Sequence, residues 1–102
     1  MEEIKMQKTE GSRKAPFKLT LYSLSTCGFC RRAKKFLEEN GFPFDWLDVD
    51  TLDKETRTVL KDELKSRFSV KVGFPFLAIE HDSGKLQALV GFIERDWEDI
   101  LL

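Results

Sequence analysis

The sequence predicts a single α/β domain: a four-stranded mixed sheet flanked by helices, in the order β-α-β-α-β-β-α. Three observations predict it. Strand-forming runs occur at 17–22, 44–49, 75–80 and 86–90, and the first three are separated by segments with helical spacing at 28–39 and 52–67. The last two runs are joined by Asp82-Ser83-Gly84, a hairpin turn that pairs them antiparallel. Helical crossovers make parallel neighbours, so the sheet is mixed and helices cover both of its faces.

The elements follow in order. Phe17-Lys18-Leu19-Thr20-Leu21-Tyr22 alternates apolar and polar residues and reads as a strand. From Gly28 to Glu39 the spacing turns helical, with Cys30, Ala33 and Leu37 on one face and Phe36 beside them, and Asn40-Gly41 stops the helix. Phe44 to Val49 reads as the second strand, with Asp50-Thr51 as caps for a helix over 52–67 whose buried stripe is Val59, Leu60, Leu64 and Phe68. Pro75 to Glu80 and Leu86 to Val90 form the closing hairpin, and a last helix over 92–101 turns Ile93, Trp97, Ile100 and Leu101 inward. Residues 1–15, charged and polar with Gly11-Ser12 near their end, read as a flexible arm, and 16–102 as the domain.

Bulk composition excludes several functions. The 102 residues hold 41% hydrophobic and 12% aromatic residues, enough for one core and too apolar for a disordered chain. Seventeen basic and 18 acidic side chains leave a net charge of −1, which gives no long-range pull toward nucleic acid or an anionic membrane. No apolar run approaches the roughly 20 residues that span a bilayer, and residues 1–16 lack the apolar segment of a secretory signal. A cytoplasmic monomer is expected. In that reducing compartment a pair of cysteines is catalytic or metal-binding rather than a structural staple.

Those cysteines, Cys27 and Cys30, are the only two in the chain and stand in the stretch STCGFCRR. Thiol–disulfide exchange needs an attacking thiolate and a second thiol near enough to resolve the mixed disulfide that results. A C-x-x-C at a helix start meets both needs: Cys27 at the N-terminus faces unpaired N–H groups and the positive dipole end, while Cys30 sits one turn in as the resolving thiol. Arg31, Arg32 and Lys34 add positive potential that favours the thiolate, or form an ordinary solvated helix face. Gly28 lets a partner backbone approach closely, and Phe29 offers an exposed apolar contact. Other chemistries share the spacing. A closed zinc site needs four ligands, and the other soft candidate is His81, which also reads as a plain surface residue at a strand end, so the site would be shared between two chains. Two buried, unreactive packing thiols are a third reading.

Strand 1 running into Thr26-Cys27-Gly28-Phe29-Cys30, the Phe74-Pro75 pair before a strand, and Val90-Gly91-Phe92 before the last helix together resemble a glutaredoxin, with its thioredoxin-like fold. The resemblance covers nearly the whole chain after residue 16. It implies a cis Phe74-Pro75 bond packed against the cysteines, and a Phe74 backbone that pairs with bound peptide or glutathione by strand addition. It implies further that Thr26, Gly28, Phe29, Phe74, Pro75, Gly91 and Phe92 form the substrate surface around catalytic Cys27 and Cys30. Glutathione-using members have a lysine where this chain has Leu24, Thr-Val-Pro where it has Gly73-Phe74-Pro75, and a Gly-Gly followed by a Ser/Thr-Asp pair where it has Gly91 to Asp96. The Gly91-Phe92 pair instead resembles redoxins that take electrons from a flavoprotein thioredoxin reductase.

The expected activity is therefore reduction of protein disulfides or glutathione mixed disulfides, with no tightly bound cofactor and with glutathione or a dedicated reductase as electron donor. The alternative is a module that binds a metal or a [2Fe–2S] cluster between two chains, as some members with a CGFS motif do.

Overall fold

Strand and helix formers alternate along the chain, and the structure, a computed structural model that describes residues 4–102, follows them closely. Its elements are β1 (Gln7–Thr9), β2 (Phe17–Ser23), α1 (Gly28–Glu39), β3 (Phe44–Asp48), a 3-10 turn (Val49–Thr51), α2 (Lys54–Phe68), β4 (Phe76–His81), β5 (Leu86–Val90) and α3 (Glu94–Leu101). The sheet order is β1-β3-β2-β4-β5. β2 and β3 are parallel, with Ser23 opposite Asp48. β2 pairs antiparallel with β4, Tyr22 opposite Phe76, and β4 pairs antiparallel with β5, Phe76 opposite Val90.

Side chains alternate across the strands and feed two cores. On one face Leu19, Leu21, Leu77 and Ile79 pack with Phe36 and Leu37 of α1 and with Trp97 and Leu101 of α3. On the other, Leu47, Phe76 and Ala78 pack with Leu60, Leu64 and Phe68 of α2. The expected coverage of both faces is what the structure shows.

The sheet has five strands, not four. β1 comes from the segment read as an arm and pairs antiparallel with β3, Gln7 opposite Trp46. Residues 1–3 of that segment lie outside the described residues, but its later part is tied down. The Arg13 N–H donates to Gly41 O at 2.9 Å, the Arg13 Nε to Asn40 O at 2.8 Å, and the guanidinium lies 4.8 Å from the centre of the Phe42 ring. Gly11 makes this approach feasible, because a Cβ there would come within 2.3 Å of Gly41 O. A glycine read as a sign of looseness is a point of close backbone contact.

Smaller differences concern helix ends and faces. Asp53, not Asp50 or Thr51, caps α2, accepting from the Thr56 N–H at 2.7 Å. Val59 is 44% exposed, and its expected place in the buried stripe is taken by Thr56, which lies three residues before it on the helix and four before Leu60. In α3, Trp97 and Leu101 are buried as expected, whereas Ile93 precedes the helix and is 60% exposed, and Ile100 also faces outward. The described helices include none long and apolar enough to cross a membrane.

Candidate active site

The strand register brings three chain segments to one end of the sheet. β2 ends at Ser23 and runs into the cysteine loop, and Tyr22 lies opposite Phe76, so the residues just before β4 flank that loop. The Phe74-Pro75 bond there is cis, as the resemblance implied. Pro75 is fully buried and its carbonyl accepts the Gly91 N–H at 2.8 Å, which fixes the chain leaving β5 beside it. Gly91 has φ +79°, a left-handed conformation suited to glycine, and its own carbonyl accepts the Trp97 indole N–H at 3.0 Å.

Cys27 is the N-cap of α1, with extended backbone, and is half-buried. Its Sγ accepts the Cys30 N–H at 3.2 Å, one of the helix-start donors that have no carbonyl partner inside the helix. Cys30, one turn further, is 2% exposed, and its Sγ accepts the Leu24 N–H at 3.4 Å. Burial pushes the Cys30 thiol up to about 12, helped by its hydrogen bond to the Cys27 sulfur; the Leu24 N–H opposes that rise, and the nearby Asp48 carboxylate adds to it. Both cysteines are free thiols. One sulfur is reachable and takes one helix-start N–H, and the other is enclosed and protonated.

Thr26, Gly28 and Phe29 are exposed around Cys27, with Phe29 at 58%. The Arg32 guanidinium lies 5.5 Å from the centre of the Phe29 ring, and Arg31 projects past Gly28, whose missing Cβ would sit 3.7 Å from an Arg31 nitrogen. Both arginines are exposed within the first turn and a half of α1. Phe74 is partly buried under the Lys61 ammonium, 5.8 Å from its ring centre. Phe92 turns inward more than a purely substrate-facing residue would: its ring packs against Phe36 at 5.8 Å and Trp97 at 5.0 Å. Arg32, Lys35, Glu39 and Glu94 border a shallow cleft of about 460 Å³ that Phe36 and Phe92 floor.

His81 is not brought to this end. It lies at the opposite end of β4, across from Phe17, with its ring edge-on to Phe17 and its Nε2 3.1 Å from Gln87 Oε1. The six residue steps from Phe17 to Ser23 separate it from the cysteine loop by about 20 Å, so His81 and the cysteines of one chain cannot share a zinc ion. Among the described residues, no group of three or more His, Cys, Asp or Glu side chains could hold a metal.

Sequence reasoning missed several residues at this end. Ser23 and Ser25 are tied to Asp48 and Asp50, and Trp97 reaches Gly91; only the register of the parallel strands, absent from the sequence, places Ser25 beside Asp50.

A half-exposed N-cap cysteine, a buried partner one turn later and a cis-proline at the same end of this mixed sheet are the features of a thioredoxin-like fold with a C-x-x-C at its helix start. The glutaredoxin family model matches residues 19–82, most of the chain, and the protein belongs to the glutaredoxin family. Solved structures agree. A glutaredoxin from Methanosarcina mazei Go1 superposes with a TM-score of 0.70 at 28% identity, over 96% of this chain and 88% of that one. The methanoredoxin of Methanosarcina acetivorans gives 0.62 at 32% identity, over 82% and 83%. A glutaredoxin from Archaeoglobus fulgidus, 24% identical over 81% of this chain and 84% of its own, shares the fold at 0.66. Among curated proteins, N-acetyl-S-hydroxy-L-cysteine reductase of Bacillus subtilis (strain 168) is 32% identical over 53 residues. The chain spans about half the length of that relative, 52% of it, through 52% of its own residues.

Proposed function

We propose that the protein reduces protein disulfides or mixed disulfides, with Cys27 as the attacking and Cys30 as the resolving thiol. The observation that carries this reading is the contrast between the two sulfurs: Cys27 half-exposed at the start of α1 and taking an N–H there, Cys30 buried and pushed up to about 12. The Cys27 thiolate attacks one sulfur of the substrate disulfide, a Cys27–substrate bond forms, and the other substrate sulfur leaves as a thiolate. Cys30, surrendering its proton, then attacks Cys27; the Cys27–Cys30 disulfide closes and the second substrate thiolate is released. Two electrons pass from the dithiol to the substrate.

Arg31 and Arg32 lend positive charge to the Cys27 thiolate, and Thr26, Gly28, Phe29, Phe74, Pro75, Gly91 and Phe92 form the surface on which the substrate lies. The extended backbone before β4 supplies a pairing edge for a substrate peptide. External thiols, from glutathione or from a dedicated reductase, restore the dithiol, and the setting is the cytoplasm. The name of the Bacillus relative favours one further substrate class, small S-hydroxy thiols: the same attack on such a sulfur forms the Cys27–substrate disulfide and releases hydroxide.

The test is a pair of variants assayed on a glutathione mixed disulfide and on a protein disulfide. Cys27→Ser loses turnover on both, and Cys30→Ser accumulates a Cys27 mixed disulfide visible by mass after acid quench. Full activity in Cys27→Ser overturns the assignment. Reduction of the oxidised protein by excess glutathione, against reduction by a reductase alone, separates the two donors.

A further inference from the structure

Two serine–carboxylate pairs continue the sheet beyond its last hydrogen-bonded residues and into the cysteine loop. Ser23 and Asp48 end the parallel register of β2 and β3, and the Ser23 hydroxyl donates to Asp48 Oδ1 at 2.7 Å. Two residues on along both strands, the Ser25 N–H donates to Asp50 Oδ1 at 2.9 Å and its hydroxyl to Asp50 Oδ2 at 2.5 Å. The Asp50 carboxyl is held below the usual carboxylate range by these two hydrogen bonds, so it is charged at neutral pH. Hydrogen bonds to a charged group are the stronger kind.

Leu24 lies between the two anchored serines, and its N–H is the one that points at Cys30 Sγ. That N–H opposes the effects that keep Cys30 protonated, namely burial, the Cys27 sulfur and the Asp48 charge. A donor in a loop does this work only if the loop holds it in place, and a hydrogen bond 3.4 Å long to sulfur does not by itself fix a peptide plane.

We propose that Asp50 is a positioning residue for the resolving step: by clamping Ser25, and with Asp48 clamping Ser23, it presents the Leu24 N–H to the Cys30 sulfur as that sulfur attacks. This rests on the dithiol reading given above. In that step the Cys30–Cys27 bond forms and the Cys27–substrate bond breaks. The electron pair leaves on the substrate sulfur, and the Cys30 proton passes to solvent or to the leaving thiolate. Negative charge gathers on Cys30 Sγ just before attack, where the aligned N–H stabilises it. The clamped loop meets Cys27 only at its backbone, where the Leu24 carbonyl accepts the Cys27 N–H at 3.2 Å; the Cys27 sulfur takes its donor from Cys30, so the first attack proceeds without the clamp.

Asp50 is exposed and Ser25 is exposed, so neither substitution hollows the core. The experiment mixes reduced protein with a glutathione mixed-disulfide peptide, quenches with acid, and follows by mass both the Cys27 adduct and the closed disulfide. In Asp50→Ala the adduct forms at the wild-type rate and closes about tenfold more slowly, the loss expected for one misaligned hydrogen bond to a charged group. Ser25→Ala, which keeps the N–H bond and loses the hydroxyl one, falls between the two, and Asp50→Asn, which keeps an acceptor oxygen, recovers part of the rate. An adduct that closes at the wild-type rate in Asp50→Ala overturns the proposal and leaves the dithiol reading intact. Equal slowing of both steps also overturns it, since a general loosening of the loop would do that. Absence of any Cys27 adduct in the wild-type protein would instead remove the dithiol reading itself.

Discussion

The two cores on either side of the sheet differ in what they hold. The α2 face is closed by Leu60, Leu64 and Phe68 against Leu47, Phe76 and Ala78, and its helix carries neither cysteine. The α1/α3 face is closed by Phe36, Leu37, Trp97 and Leu101 against Leu19, Leu21, Leu77 and Ile79. There the helix that is buried is also the helix whose first turn holds Cys27 and Cys30, and the buried indole is also the donor to Gly91 O. Both cysteines belong to the α1 side, whereas the α2 core reaches the site only at its rim, through the side chains of Leu24 and Phe74, so equal losses of stability should have unequal effects on turnover.

The largest test of that difference is Trp97→Ala. Trp97 is 0% exposed and meets Phe36 and Phe92 edge-on, and its removal should cost about 3–5 kcal/mol in denaturant unfolding. It should also lower turnover per folded molecule, because Gly91, which lies against Pro75, loses the indole that steadies it. Next comes Leu64→Ala on the opposite face. Leu64 is 1% exposed, and a loss of about 2–5 kcal/mol is expected, with turnover per folded molecule falling less than in Trp97→Ala. If both variants lose turnover in proportion to stability, the two faces are not distinct in the way described.

A smaller effect sharpens the contrast between the sulfurs themselves. Cys30 is raised from 9.0 to about 12 in the folded protein, so between those values the unfolded chain gives up this proton before the folded one does. The folded state then binds more protons, and its stability falls as pH rises through that window. Cys30→Ala in the reduced protein should flatten the alkaline decline seen by thermal unfolding between about pH 9 and pH 12 relative to wild type. An unchanged slope would place the alkaline loss in other groups.

The fold was legible where one local rule acted alone. Helix α1 begins and ends where helical spacing and the Asn40-Gly41 stop put it, and the Asp82–Gly84 turn gives the hairpin, with Gly84 at φ +93°. Legibility failed where two rules competed for the same residues. Asp50 and Thr51 look like helix caps, but the chain first makes a 3-10 turn, Asp53 takes the cap, and Asp50 is left to hold Ser25. Val59 fits an apolar stripe by type, yet Thr56 on the inward side buries better with Leu60 and Leu64. The cysteine pair and the cis Phe74-Pro75 bond were legible from motif and resemblance. The serine–aspartate clamps were not, because they depend on which residues two separate strands set side by side.

Gly11 carries a consequence for the protein in a crowded solution. β1 is three residues long and polar, and it occupies the outer edge of β3, where Phe44 and Trp46 would otherwise present unpaired backbone groups. The missing side chain at Gly11, pressed against the backbone of 41–43, is what lets the leading segment fold back along that edge. One hydrogen atom in place of a methyl group thus stands between a capped sheet and one whose margin is open to strands of neighbouring copies. β1 thus leaves the sheet with a margin only three residues long and polar, a poor template for a neighbouring strand.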